Sequence, residues 1–200
     1  MWGKILVTAV GSVAGDIVIK QLQQNGYYVA GTDIYPKEWL ANSFYVDRFY
    51  QISRASDQKM FIADLLEVCQ KENTEYIIPL TDVEVDILNR YRRQFAQKNI
   101  VLCMAEEKTV SVYRDKRASA DSLQGICQVI PEISRNNLDQ IEEYPVICKK
   151  RDGRSSQGLH IFYTGKQLTA FLEDVEEEYI IQPMIEGDIV SHIIRNWSTG

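Results

Sequence analysis

The chain has 200 residues, 45% hydrophobic and 25% charged, with a net charge of −6. This is ordinary globular composition, enough for one large domain or two small ones. The acidic balance argues against a global attraction to nucleic acid or an anionic membrane, so any anion chemistry must rest on locally grouped cations. Cys69, Cys103, Cys127 and Cys148 stand far apart without a C-x-x-C pair, and three of them sit in apolar runs that read as core. They read as reduced thiols of a cytoplasmic protein. No apolar h-region opens the sequence and no apolar run is long enough to span a bilayer, so neither export nor a membrane is expected.

Residues 4–33 predict a βαβ unit. The nearly continuous apolar run 5–10 suits a parallel strand covered on both faces, and Gly11 to Gly15 is the turn. A helix is expected over 16–24 with Ile17, Val18 and Leu22 on its inner face, ended by Asn25-Gly26. A second strand over 27–32 carries Asp33 at its tip. An acid there suggests a ribose contact in a dinucleotide site. The glycine spacing, however, is G-x-x-x-G, and Val13 occupies the position where backbone should approach a pyrophosphate. Glycines serving only the turn explain the pattern equally well.

A short strand is expected near 49–52. A helix follows over 60–72, with Phe61, Ile62, Leu65, Leu66, Val68 and Cys69 as its apolar stripe. The strand 76–80 runs into Thr81, Asp82 and Glu84, just past the carboxyl end of a parallel strand, where open α/β sheets bind ligands. Thr81 with Glu84 three residues on is also a capping-box pattern, and the two roles are compatible. A mostly polar helix over 86–97 displays Arg90, Arg92 and Arg93, and a buried strand over 100–104 closes this alternating region.

The character then changes. Residues 106–124 read as polar helix, a short helix is expected over 138–142, and from residue 146 strands joined by short turns surround one helix over 165–175. This suits an α+β unit with an antiparallel sheet, so a boundary is expected near 104–108, dividing the chain into 1–105 and 106–200. Within the second part, Pro145-Val146-Ile147-Cys148 reads as a buried strand that ends on Lys149, Lys150 and Arg151. Asp152 to Gly158 is a Gly/Ser loop, and a second strand begins near Leu159. Strand-held ammonium groups beside a loop whose backbone N–H groups can fold over oxygens make a phosphate site, and a plain basic turn on the surface is the alternative. His160 and the strand residue His192 lack ligand spacing and read as structural. Glu176, Glu177 and Glu178 read as a solvated turn.

Four segments in this order resemble the ATP-grasp superfamily, in particular the carbamoyl-phosphate-synthase-like ligases. Residues 4–36 and 76–84, with the run Pro79-Leu80-Thr81-Asp82-Val83-Glu84, resemble the pre-ATP-grasp domain. Asp115-Lys116-Arg117 resembles the Asp-Lys heading the ATP-grasp helix. Residues 145–158 resemble the strand, lysine and glycine-rich loop, and residues 180–187 (Ile-Ile-Gln-Pro-Met-Ile-Glu-Gly) resemble the hinge strand.

The resemblance implies an α/β fold: a Rossmann-like parallel pre-ATP-grasp domain followed by a partial α+β ATP-grasp domain with an antiparallel sheet. It implies ATP and Mg²⁺ as cofactors. Lys116 and Lys149 would reach the phosphates, and Gly153, Arg154, Ser155, Ser156 and Gly158 would form a lid. Gln182 and the backbone of Pro183 and Ile185 would meet the adenine. After Gly187 the family usually places acids, the second gripping the ribose, and Asp188 would take that role shifted by one position. Gly11, Thr81, Asp82 and Glu84 would offer the substrate surface.

The implied activity is ligation of a small-molecule carboxylate to an amine or related nucleophile through an acyl phosphate. The family's metal ligands lie beyond the equivalent of residue 200, so no metal ligand is expected within this chain, which ends on Asn196 to Gly200 in what reads as half a hairpin. The chain alone is then expected to be inactive, with a homodimer or association with a separate C-terminal half as its open partnerships. The competing readings are an NAD(P)-binding Rossmann oxidoreductase, disfavoured by the glycine spacing and by the lack of a Tyr-x-x-x-Lys pair on a later helix, and a non-catalytic nucleotide-binding or partner subunit.

Overall fold

A computed structural model describes residues 3–187. The chain divides between Ser111 and Val112 into two compact units. The first holds a parallel sheet of β1 (Lys4–Val7), β2 (Tyr28–Asp33), β3 (Arg48–Gln51), β4 (Tyr76–Ile78) and β5 (Val101–Leu102), in the order β3-β2-β1-β4-β5. Three helices connect these strands: α1 (Val13–Gln24), α2 (Gln58–Glu72) and α3 (Asp82–Ala96).

The apolar run of β1 is buried on both faces because successive side chains alternate across the sheet. Leu6 joins Phe61 and Leu65 of α2 and Leu88 and Phe95 of α3, whereas Ile5 and Val7 join Ile19 of α1 and Val29 of β2. Thus α3, polar to the eye, contributes a buried stripe of Ile87, Leu88 and Phe95.

Two expectations change. Helix α1 begins at Val13, ahead of the expected Asp16, because the Ser12 side-chain oxygen accepts the Gly15 N–H at 3.2 Å and caps it. Its inner face is then Gly15, Val18, Ile19 and Leu22, so Ile17 lies 63% exposed. Gly15 permits the close approach, since a Cβ there would stand 2.3 Å from the Val10 carbonyl oxygen. The strand expected over 100–104 shrinks to β5 at the sheet's edge. With only β4 as a neighbour, Val101 is exposed, and Cys103 is exposed too, contrary to a core reading of that run.

The polar helical stretch resolves into α4 (Glu107–Arg114), which runs across the division, and α5 (Lys116–Leu123) in the second unit, parted at Asp115, whose carboxylate caps α5. The helix expected over 138–142 is a 3-10 stretch at Arg135–Gln140. Strands β6 (Val146–Lys150), β7 (Leu159–Phe162) and β8 (Tyr179–Pro183) form an antiparallel sheet in the order β7-β6-β8, with α6 (Gly165–Asp174) on one face. Val146, Cys148 and Ile181 face α6 and pack around Leu168. By alternation, Lys149 and its neighbours Ile180 and Gln182 lie on the opposite face. His160 sits in an aromatic cluster, 4.5 Å from the Phe171 ring. Among the described residues no helix is long and apolar enough to cross a membrane.

Candidate functional site

Two polar constellations stand out, one in each unit. At the carboxyl edge of the parallel sheet, Asp33 is 6% exposed, and its oxygens accept the backbone N–H of Gly11 at 2.9 Å and of Tyr35 at 3.1 Å. Glu84, 7% exposed, accepts the Thr8 hydroxyl at 2.8 Å and the Thr81 hydroxyl at 2.9 Å. Thr81 in turn accepts from the Glu84 N–H, so the capping box forms and opens α3. Burial pushes the Glu84 carboxyl above its ordinary value against the pull of these donors, and the Asp33 charge nearby adds to the rise. Asp82 is the first, exposed residue of α3. Asp33 is thus held by backbone donors of its own fold, and a ribose diol would have to share or displace them.

The second constellation is a cavity of about 650 Å³ lined by Tyr113, Lys116, Ile130, Lys149, Ile180 and Gln182 among others. Its size is that of a small-molecule site. Lys116, the first residue of α5, donates from Nζ to the Gly153 carbonyl at 2.6 Å. Lys149 of β6 donates to the side-chain oxygen of Gln182 at 3.1 Å, and Gln182 donates onward to the Ile130 carbonyl at 2.9 Å. Desolvation lowers the Lys116 ammonium below the ordinary lysine value, and the charges of Arg114 and Lys149 push it the same way. Two ammonium groups therefore meet in one cavity, each resting on a neutral oxygen. Such an arrangement can receive an anion, because a charged oxygen makes a stronger bond than the neutral one it replaces.

The other basic residues of the motif are engaged elsewhere. Lys150 pairs with Glu177 at 2.6 Å. Arg151 pairs with Asp115 at 2.5 Å and with Glu178. Arg117 pairs with Glu132 at 2.6 Å. The acidic turn is solvated, as expected, and is also a partner of the basic strand end. The loop between β6 and β7 turns back through Ser155 (φ 46°), Ser156 (φ 60°) and Gly158 (φ 68°). At Gly158 a side chain would both sit in a left-handed conformation and strike the Lys150 side chain at 2.7 Å.

Of the residues singled out by sequence, Lys116, Lys149 and Gln182 converge on the cavity, and Gly153 touches it through the Lys116 bond. Arg154, Ser155, Ser156 and Gly158 lie on the adjoining loop, and Pro183 and Ile185 follow Gln182 without lining the cavity. Asp188 and His192 lie outside the described residues. Among the described residues, no group of three or more His, Cys, Asp or Glu side chains is placed to hold a metal ion. Sequence reasoning missed Thr8, whose hydroxyl only the fold brings to Glu84. It also missed Asp115 as a cap, although an Asp directly before a helical run signals one, and the segment 127–131, which lines the cavity from outside any strand.

Comparison with known families bears on the readings of this architecture. The model of a PylC-like N-terminal domain matches residues 5–103, and that of an ATP-grasp domain matches residues 113–195. Residues 113–195 belong to an ATP-grasp domain. No match emerges among curated proteins. Solved ATP-grasp structures share the chain's fold at low identity. Biotin carboxylase from Campylobacter jejuni, in a β-γ-ATP complex, superposes with a TM-score of 0.72 at 17% identity over 92% of this chain and 45% of its own. The biotin carboxylase domain of Hydrogenobacter thermophilus 2-oxoglutarate carboxylase, with MgADP and bicarbonate, gives 0.70 at 17% over 93% and 45%. N5-carboxyaminoimidazole synthetase from Staphylococcus aureus gives 0.67 at 19% over 91% and 47%. The chain therefore spans less than half the length of these three ATP-grasp proteins.

Proposed function

We propose that this chain supplies the phosphate-gripping part of an ATP site in a ligase that joins a small carboxylate to an amine or related nucleophile. The observation that carries the reading is the meeting of Lys116 and Lys149 in one cavity of the ATP-grasp unit, each ammonium held by a neutral oxygen. In this reading the two lysines take phosphate oxygens from two sides, and the loop carrying Gly153, Arg154, Ser155, Ser156 and Gly158 lies over them. Gln182, Pro183 and Ile185 meet the adenine edge, with Ile130 and Ile180 as apolar walls. Asp188 takes the ribose.

When bound, ATP supplies the phosphoryl group that activates the carboxylate as an acyl phosphate, and fixed cations stabilise the charge spread over that group. No magnesium ligand is assigned among the described residues. The carboxyl edge of the first unit, with Gly11, Thr81, Asp82 and Glu84, is assigned to substrate. The neighbours bound to ADP and to β-γ-ATP support the nucleotide, and an L-amino acid ligase from Bacillus licheniformis with a TM-score of 0.66 supports the reaction class by fold alone.

Calorimetric titration with ADP, ATP and NADH tests the reading. Adenine-nucleotide binding that disappears in Lys149→Ala is the expected result. Binding of NADH alone, lost in Asp33→Ala, would overturn it in favour of an oxidoreductase. ATP binding by the whole protein without turnover in the presence of any carboxylate and amine would move it to the non-catalytic class.

A further inference from the structure

The Arg151 guanidinium stands at a junction that the nucleotide reading does not use. It pairs with Asp115, the residue directly before Lys116, at 2.5 Å, and with Glu178, two residues before Ile180 and four before Gln182. Arg151 itself follows Lys149 by two residues. Its backbone completes the same junction: the Lys116 N–H donates to the Arg151 carbonyl at 3.1 Å, and the Arg151 N–H donates to the Glu178 carbonyl at 3.0 Å. Asp115 also caps α5, accepting the N–H groups of Arg117 at 2.9 Å and Ala118 at 3.1 Å. One side chain thus ties together the start of α5, the end of β6 and the approach to β8. Each of those elements contributes a polar cavity residue: Lys116, Lys149 and Gln182, respectively.

We propose that Asp115 and Arg151 are a positioning pair whose ion pair sets the Lys116 ammonium against Lys149 in the cavity. The inference rests on the ATP-site reading above. A planar guanidinium donating to two carboxylates fixes direction as well as distance, which a lysine at the same place would not do. Lys116 needs such fixing because it heads a short helix, where the first turn is held by its cap and little else. An ammonium displaced by about 1 Å from a phosphate oxygen loses much of its bond.

The experiment is a mutant cycle on ADP affinity in the full protein, read by calorimetry, with thermal unfolding run in parallel. Asp115→Asn keeps the helix cap, since Asn caps as well as Asp, and removes only the charge that faces Arg151. We expect Asp115→Asn and Arg151→Ala each to weaken ADP by about tenfold, and Arg151→Lys to restore little of it. In a Lys116→Ala background, Asp115→Asn should have no further effect, because the group it positions is gone. Equal losses in both backgrounds would show a general structural role and overturn the proposal. So would unchanged ADP affinity in Asp115→Asn, or in Lys116→Ala itself. Failure of the ATP-site reading shows differently: the unmodified protein would then give no adenine-nucleotide signal to lose, or a signal that Lys149→Ala leaves unchanged.

Discussion

The two units handle their polar groups in opposite ways. In the parallel unit, the acids Asp33 and Glu84 are shut in and supplied with donors from their own fold: backbone N–H groups for one, the hydroxyls of Thr8 and Thr81 for the other. In the antiparallel unit the acids Asp115, Glu132, Glu177 and Glu178 are matched to Arg and Lys side chains along the rim. Lys116 and Lys149 instead rest on a carbonyl and an amide oxygen. A carboxylate saturated by its own fold holds loops together. An ammonium left with neutral partners keeps most of its capacity for an anion. The same chain thus carries one edge whose acids are supplied with donors from within and one cavity whose ammonium groups rest on neutral oxygens, and each can be broken without the other.

The largest expected effect lies in the first unit. Glu84→Ala strips the buried Thr8 hydroxyl and the half-buried Thr81 hydroxyl of their acceptor and removes a cap, and should destabilise the protein by about 2–4 kcal/mol in urea unfolding. It should leave the residues around Lys149 unaltered, so ADP binding persists wherever the protein remains folded. Lys149→Ala is the converse: a loss of about 1.5–3 kcal/mol in ADP affinity, as for a hydrogen bond to a charged group, with unfolding stability within about 0.5 kcal/mol of the parent. If both variants lost stability alike, the contrast between the two units would fail.

The pH dependence of stability should separate the two kinds of acid by sign. The Glu84 carboxyl is raised in the folded protein, so the fold binds its proton more tightly than the unfolded chain does. Its contribution is full below the ordinary value of 4.5 and is lost as pH rises through the raised one. Asp115 is held down to about 2, first by the Arg151 bond and then by the N–H groups it caps. Its contribution is present above the ordinary 3.8 and is lost as pH falls from there towards about 2. Glu84→Gln should therefore flatten the stability profile on the alkaline side of 4.5, and Asp115→Asn the profile on the acid side of 3.8. Chemical unfolding at stepped pH reads both slopes.

The smallest effect is a matter of rates. Cys69 and Cys148 are buried, and burial pushes each thiol up to about 11, whereas Cys103 and Cys127 are exposed. Alkylation at neutral pH should label one cysteine of each unit quickly and the other only on unfolding. ADP should slow Cys127, which lines the cavity, and leave Cys103 alone.

The periodic parts of this fold were legible from the start. The run Ile5-Leu6-Val7 announces a strand covered on both faces, and the stripe from Phe61 to Cys69 announces a helix, because alternation and a 3.6-residue repeat are local properties of the backbone. The cap at Thr81 and Glu84 and the lysine at the end of β6 are equally local. Which of Ile17, Val18 and Ile19 faces inward was less legible, since neighbouring residues on a helix differ by a rotation that only the packed sheet and the Gly15 contact settle. Charge partners were legible least. Lys149, Lys150 and Arg151 look alike in the chain, yet one enters the cavity and the other two pair with acids 27 residues away. Sequence carries a side chain's charge and its local backbone preference. Whether that charge is neutralised or left facing a cavity depends on strand register and on long-range neighbours, and those exist only once the chain has closed on itself.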